Sequence, residues 1–278
     1  MSIAAPEAAP RARVQPKEPS PERNVVTFPR VIHSEWIKFR TLRSSWLVLF
    51  SAVAALILIG VLIGYNTGKH WQGLAPEDAA PSSPLQGHFL AQLLIGVLGV
   101  LFVSGEYSTG MIRSTLAAVP KRVPVVAAKA IVFAAVALVA LIPASVLAFM
   151  GAQGFLSHYG HGASWSDPTV VRVVIGTGVY LALIGLLGGA LGWILRSTPG
   201  GISTLVGILL VLPVLLRVLP GAWAKNAYEY LPGNAGESFI TSLHTSGTLT
   251  PWAGLAVLVA WVLGALTVAA VLLRRRDA

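Results

Sequence analysis

Long runs of apolar residues, separated by short polar stretches, dominate the chain from about residue 45 onward. Six such runs lie at about 45–65, 87–104, 124–149, 170–194, 200–219 and 252–273. A helix needs about 20 apolar residues to cross the hydrocarbon core of a bilayer, and the runs approach or exceed that length. Lipid offers the backbone no hydrogen-bond partners, so such spans form helices. The pattern predicts an all-α membrane protein with six transmembrane helices.

The first 30 residues break this pattern, because they are polar and rich in Ala, Pro, Arg and Glu. Such a segment buries too little apolar surface to offset the entropy lost on folding. It is also no signal peptide, since the first apolar run starts too late. We therefore predict a disordered cytoplasmic tail over 1–30 and a transmembrane domain over 31–276.

Composition agrees with a membrane protein: 55% of the 278 residues are hydrophobic and only 11% are charged. Soluble domains carry about 25% charged residues. The net charge of +9 would also suit nucleic acid, but the bases cluster beside apolar runs, where they set membrane orientation. We predict the lipid bilayer, and no nucleic acid, as a partner. The absence of cysteine excludes disulfides, thiolate metal sites and a cysteine nucleophile.

Basic residues near the ends of the runs predict the orientation. With the N-terminus inside, the inner stretches hold most of them, and the outer stretches hold only Lys69, Arg172, Arg217 and Lys225. The positive-inside rule then places both termini in the cytoplasm. The outer stretch 220–251 is too polar to cross and too aromatic for a plain linker, which favours short helices or a partly inserted turn.

No Asp, Glu, Lys or Arg lies near the middle of a predicted span. Lys129, one turn inside the third span, is predicted to snorkel to the surface. Charges at a helix centre cost about 2.5–3.5 kcal/mol and persist where they function, so their absence argues against a proton-driven carrier or a voltage sensor.

His158 and His161 have a spacing compatible with metal binding but lack a third ligand. "GYNTGKH" lacks the spacing of a phosphate loop. We expect no catalytic, metal or cofactor site, and an energy source on another chain.

Two segments beside the spans have helical patterns. "HSEWIKFRTLRSSW", 33–46, combines an aromatic stripe (Trp36, Phe39, Leu42 and Trp46) with positive charge, which favours a helix lying on the inner membrane surface over a simple topology anchor. "SGEYSTGMIRSTLAAVPKR", 104–122, offers Ser108 or Thr109 as a helix cap, an apolar stripe, and prolines that end the helix. The stripe is Ile112, Leu116 and Val119. Such a short amphipathic helix either rests on lipid or docks into a partner.

Small residues and prolines within the spans bear on packing. Gly185 and Gly189, like Gly188 and Gly192, are four residues apart, a spacing that lets helices approach closely within one chain or in a dimer. Pro143 and Pro213 lie inside predicted spans, where each permits a static bend or a hinge.

The segment "GEYSTGMIRSTLAAVPKR" resembles the loop between the second and third helices of ABC-2-type permeases, the six-helix membrane subunits of small bacterial ABC transporters. The resemblance rests on Glu106-Tyr107, Gly110, Arg113 and Pro120-Lys121-Arg122. "SEWIKFRTLRSSW" is similar to the N-terminal interfacial helix of that family, and "YEYLPGNAGESF" to the stretch before its last helix. The resemblance covers about 31–276.

The resemblance implies a permease subunit of an ATP-driven exporter in the bacterial cell membrane. Its partners would be cytoplasmic ABC ATPase subunits, which bind ATP and Mg²⁺, and a second permease copy, identical or paralogous. A coupling helix would dock on the ATPase through the set Glu106, Tyr107, Gly110, Ile112, Arg113, Leu116, Val119, Pro120, Lys121 and Arg122. Glu106 and Arg113 would link it to the interfacial helix, which carries Glu35, Trp36, Lys38, Phe39, Arg40 and Arg43.

Two other classes of protein remain open at this point. One is a non-transporting membrane scaffold or signalling subunit whose short helix docks a different cytoplasmic partner. The other is a membrane enzyme acting on lipid, which predicts clustered polar residues at one membrane face.

Overall fold

The computed structural model describes residues 26–71, 74, 79–243 and 248–275, and the regular structure in those ranges is helical. The α-helices are α1 Phe28–Thr41, α2 Arg43–Lys69, α3 His88–Ser108, α4 Met111–Ala118, α5 Val123–His158, α6 Pro168–Leu195, α7 Thr198–Val206, α8 Leu212–Val218, α9 Ala222–Glu229, α10 Pro232–Ile240 and α11 Pro251–Arg275. A 3-10 turn, Ser83–Leu85, precedes α3, and a π-helical segment, Gly207–Val211, joins α7 to α8.

Six helical segments are long and apolar enough to cross a membrane. They are Arg43–Lys69, Ser83–Ser108, Val123–His158, Pro168–Leu195, Thr198–Val218 and Pro251–Arg275. Each contains, or nearly contains, one of the apolar runs, so the prediction of an all-α protein with six potential transmembrane helices is confirmed. The helices extend beyond the runs because polar residues continue the same hydrogen-bond pattern at both ends.

The predicted tail lies largely outside the described residues, which start at Val26. Its predicted end at residue 30 was wrong, because α1 already begins at Phe28. Pro29 lies in the first turn, where its missing N–H costs nothing and its fixed φ favours the helix.

The centre of the bundle is formed by α3 and α6, with two-thirds (67%) of the apolar window of each buried, against 17% for α11. Glycines let these two helices touch. A Cβ atom on Gly99 would overlap the carbonyl oxygen of Gly185, and one on Gly188 would overlap that of Gly96. The glycine spacing in α6 therefore serves packing inside the chain.

The segment predicted to lie outside the membrane, 220–251, contains two short helices, α9 and α10, as one of the two alternatives predicted for it. Residues 244–247 of this segment lie outside the described part. Arg172 at the start of α6 donates to the carbonyl oxygens of Phe239 and Thr241, which anchors the end of α10 to the bundle. Pro143 lies within the continuous helix α5, and Pro213 follows the π-helical segment.

Candidate functional site

Two acidic and two basic side chains meet where α1, α3 and α5 converge. This charge cluster consists of Glu35 and Lys38 from α1, Glu106 from α3 and Lys129 from α5. Lys129 Nζ lies 2.7 Å from both Glu106 Oε1 and Glu35 Oε2. Lys38 Nζ donates to Glu35 Oε1 at 2.6 Å and to Glu106 Oε1 at 3.0 Å. Each ammonium thus contacts both carboxylates, and the cluster is formally neutral.

The prediction that Lys129 snorkels to the surface was wrong, because only 2% of the residue is exposed. Its ammonium also donates to the carbonyl oxygen of Phe102 at 3.3 Å and lies 4.0 Å from the centroid of the Phe102 ring. The carboxylates and the ring replace the water that snorkelling would have provided. The position of Lys129 inside an apolar run was the available signal of a buried charge. The prediction failed because its partner Glu35 is remote in sequence.

The charge state of Lys38 follows from its neighbours. Burial alone would lower the pKa of Lys38, but its hydrogen bond to Glu35 and the attraction of both carboxylates outweigh burial and raise the pKa above the ordinary 10.5. Lys38 therefore stays protonated at physiological pH.

Thr115 extends the charge cluster to the short helix α4. Its hydroxyl accepts from Lys38 Nζ at 3.0 Å and donates to Glu106 Oε2 at 3.2 Å. No sequence pattern pointed to Thr115, although it lies three residues after Ile112 and so shares the face of the apolar stripe. Through this residue α4 is tied to α1 and α3.

The start of α4 differs from the prediction, which placed a side-chain cap at Ser108 or Thr109. The N-cap is Gly110, with φ 71°, and no side chain caps the helix. The hydroxyls of Ser108 and Thr109 donate back to the carbonyl oxygen of Gly105 and so stay with α3. A glycine is favoured at this left-handed position because it has no Cβ. The helix ends at Ala118, ahead of Pro120, as expected.

The apolar stripe of α4 packs inside the chain. Ile112 is 4% exposed and Leu116 7%, in a cluster that includes Val103, Val125 and Trp193, and Val119 packs against it partly buried. These side chains are therefore already covered and leave the opposite face of α4 to the surroundings. That exposed face consists of Met111, Arg113, Ser114, Ala117 and Ala118.

The remaining residues of the loop divide into anchors and exposed groups. Tyr107 packs edge-to-face on Trp193, with ring centroids 6.0 Å apart. Arg122 donates to the carbonyl oxygen of Leu273 at 3.1 Å, which connects the loop to α11. Pro120 and Lys121 are exposed. The side chain of Arg113 is exposed as well. The described hydrogen bonds to α1 come from Glu106 and Thr115, and the role of Arg113 implied by the resemblance stays a prediction.

The aromatic stripe predicted for 33–46 does not form one face. Phe39 is fully buried and packs edge-to-face on Trp46 and Phe102, whereas Trp36 is exposed. The buried face of α1 is Val31, Glu35 and Phe39, since these residues are four apart. Arg40 and Arg43 are exposed, and the helix breaks at Leu42 before α2 begins.

The two loop histidines do not come together with further ligands. His161 stacks on Trp71 with ring centroids 3.8 Å apart. No group of three or more His, Cys, Asp or Glu side chains with metal-binding geometry occurs among the residues that the structure describes.

No known family's sequence model matches this chain, and no curated protein is significantly similar to it. The geometry described above is therefore the basis for assigning a function.

Proposed function

We propose that this chain is the membrane-spanning permease subunit of an ATP-driven ABC exporter, a multi-pass protein of the bacterial cell membrane. The observation that supports this most directly is the two-sided character of α4. One face is bound to the bundle through the charge cluster and the apolar stripe, and the other is exposed. A helix of this kind can transmit a displacement imposed by a partner protein to the transmembrane helices.

The route of such a push follows from the contacts. Thr115 joins α4 to Lys38 of α1 and Glu106 of α3, and Lys129 joins both acids to α5. Buried ion pairs in a low-dielectric setting are costly to separate, so the helices that share them move together. ATP-driven closure of a partner ATPase against α4 would then tilt α3 and α5 as one unit.

The exposed apolar surface of the spans fits the proposed second permease copy. Only 28% of the apolar window of α2, and 17% of that of α11, is buried in the single chain. In a bilayer, lipid or a second copy, identical or paralogous, covers such faces. In this arrangement ATP and Mg²⁺ bind to the ATPase, and this chain contributes the path of the substrate across the membrane.

Site-specific photocrosslinking tests the proposal. A photoreactive amino acid replaces Ala117 on the exposed face of α4, and the matched control replaces Val139, an exposed residue of α5 at mid-span. After crosslinking in the native membrane, we expect Ala117 to yield an adduct with a subunit that carries an ATP-binding phosphate loop, and Val139 to yield none. The purified assembly should hydrolyse ATP, and the isolated chain should not.

Three results would count against a permease. They are the absence of any adduct from Ala117, an adduct with the same subunit from both positions, or an adduct of Ala117 with a protein that hydrolyses no ATP. The last would favour the scaffold or signalling class instead.

A further inference from the structure

A cavity of about 220 Å³ lies at the opposite end of the bundle from the charge cluster, between α3, α6, α8, α9 and α10. One part of its lining is polar, and the other is formed by Phe89, Leu209, Leu210, Pro213 and Val214. The polar part consists of Gln92, Tyr180, Arg217, Tyr228, Asn234 and Glu237. Gln92 and Tyr180 lie on α3 and α6, and the short helices α8, α9 and α10 add the other four polar residues to the same cavity.

The two charged groups of this cavity are of opposite sign and are not paired with each other. Arg217 donates through Nε to the Tyr228 hydroxyl at 2.9 Å, and its guanidinium carbon lies 5.0 Å from the centroid of that ring. Glu237 is half-buried, and its carboxylate has neither a hydrogen bond nor an ion pair with another described side chain. Burial raises the pKa of Glu237, and the positive charge of Arg217 offsets part of that rise. A ligand with both an anionic and a cationic group would satisfy the two.

Neutral polar atoms lie in the deepest part of the same cavity. The Tyr180 hydroxyl donates to Gln92 Oε1, and both residues are almost fully buried. The Gln92 amide nitrogen has no described partner of its own. Nearby, His88 Nε2 is buried without a hydrogen-bond partner, and its ring packs edge-to-face on Tyr180 at 5.8 Å. Polar groups buried in this way are usually satisfied in the functional state.

Size and position limit the kind of ligand. Pockets for drug-sized molecules measure about 300–1,000 Å³, so a cavity of about 220 Å³ accepts a head group and not a whole lipid-sized molecule. Its apolar wall continues into the exposed surface of the fifth span, because Leu210 and Val214 line the cavity and are also exposed. An acyl chain attached to the head group would lie along this surface.

We propose that this cavity binds the zwitterionic head group of an amphipathic, lipid-like molecule, with its anionic group on Arg217, its cationic group on Glu237 and its acyl chains along Leu210 and Val214. The inference deepens the proposed export function by naming the class of cargo. Binding by the isolated chain needs no ATPase, so failure here leaves the permease proposal standing, and failure of ATPase crosslinking leaves this site standing.

Native mass spectrometry of the full-length chain in maltoside detergent tests the site. The probes are four lipids with identical acyl chains: phosphatidylethanolamine (zwitterionic), phosphatidylglycerol (anionic), a trimethylammonium lipid (cationic) and diacylglycerol (uncharged). Glycerophosphoethanolamine, the head group without acyl chains, is the fifth probe. We expect the zwitterionic lipid to bind at least about tenfold more tightly than the other lipids, and the free head group to bind more weakly than the intact lipid.

Three variants assign that preference to the cavity. Glu237→Gln should reduce the affinity for the zwitterionic lipid to that for the anionic one, and Arg217→Gln should reduce it to that for the cationic one. Lys225→Gln removes an exposed cation of α9 that does not line the cavity and should change nothing. Circular dichroism confirms folding, and if one cavity variant misfolds, the other decides alone.

Equal binding of the zwitterionic and anionic lipids by the wild-type chain would overturn the proposal. So would an unchanged preference in a folded Glu237→Gln or Arg217→Gln variant, or the same loss in Lys225→Gln. Binding of the free head group as tight as that of the intact lipid would overturn the part assigned to Leu210 and Val214.

Discussion

Replacing Lys129 by methionine should strongly destabilise the protein. Methionine has nearly the same length but no charge. The change therefore leaves two buried carboxylates, Glu35 and Glu106, with Lys38 as the one remaining counter-ion among the described residues. Removal of one partner from a buried ion pair costs about 3–5 kcal/mol, because the remaining charge stays desolvated. The expected loss in the free energy of unfolding is of that order.

Removing a second charge should return much of this loss. The double variant Lys129→Met with Glu106→Leu deletes one charge of each sign and leaves Lys38 2.6 Å from Glu35, a complete pair. Apolar replacement of a whole buried pair is often neutral. We therefore expect the double variant to be at least about 1.5 kcal/mol more stable than the sum of the two single changes, the size of coupling seen between contacting residues.

Unfolding in mixed detergent micelles, followed by circular dichroism with increasing dodecyl sulfate, measures these free energies. Lys121→Met is the matched control, because Lys121 is exposed on the same side of the bundle, and such changes stay within about 0.5 kcal/mol. Additive single changes, or a Lys129→Met variant as stable as the control, would refute the account of the charge cluster.

Four further changes test the packing, the turn and the cavity. Gly99→Ala should destabilise the protein by about 1–3 kcal/mol, because the new Cβ meets the backbone of Gly185. Gly105→Ala, with open space around it, should stabilise the protein by about 0.5–1 kcal/mol. Thermal unfolding in which both variants shift the midpoint in the same direction would contradict the described packing. Gly110→Ala should destabilise by about 1–2 kcal/mol in the same assay, because the φ of 71° disfavours a side chain. Burial raises the pKa of Glu237, so the folded state keeps this proton to a higher pH than the unfolded state does. The free energy of unfolding should therefore fall as pH rises from about 4.5 through the raised value, and Glu237→Gln should lack this fall. Identical pH profiles of the two proteins would refute this account of Glu237.

The order and position of the spans could be predicted from sequence because lipid forces each apolar run into a helix that satisfies its own backbone. The end of α4 was predictable for a similar reason, since Pro120 cannot continue a helix. Both conclusions need only residues close together in the chain. The error at Lys129 is of a different kind: its partner Glu35 lies on another helix, and no local pattern shows that α1 folds back to meet α5.

The apolar stripe of α4 also shows that local sequence patterns do not predict contacts between helices. Periodicity predicted correctly that Ile112 and Leu116 share a face, but it cannot say what covers that face. Of the cluster that surrounds it, Val103, Val125 and Trp193 come from three different helices, α3, α5 and α6. The cavity could not be predicted as a whole, because Glu237 joins Gln92 and Tyr180 only when α10 packs on the bundle.

One helix connects the two ends of the molecule. Glu106 lies near the cytoplasmic end proposed for α3, and Gln92 near the other, about 21 Å away at 1.5 Å per residue. Between them Gly96 and Gly99 hold α3 against the backbone of α6, which carries Tyr180. Close backbone contact without intervening side chains leaves little room for one helix to slide on the other. A displacement of Glu106 by α4 therefore moves α3 and α6 together, and it reaches Gln92 and Tyr180 in the cavity without requiring a separate conformational change there.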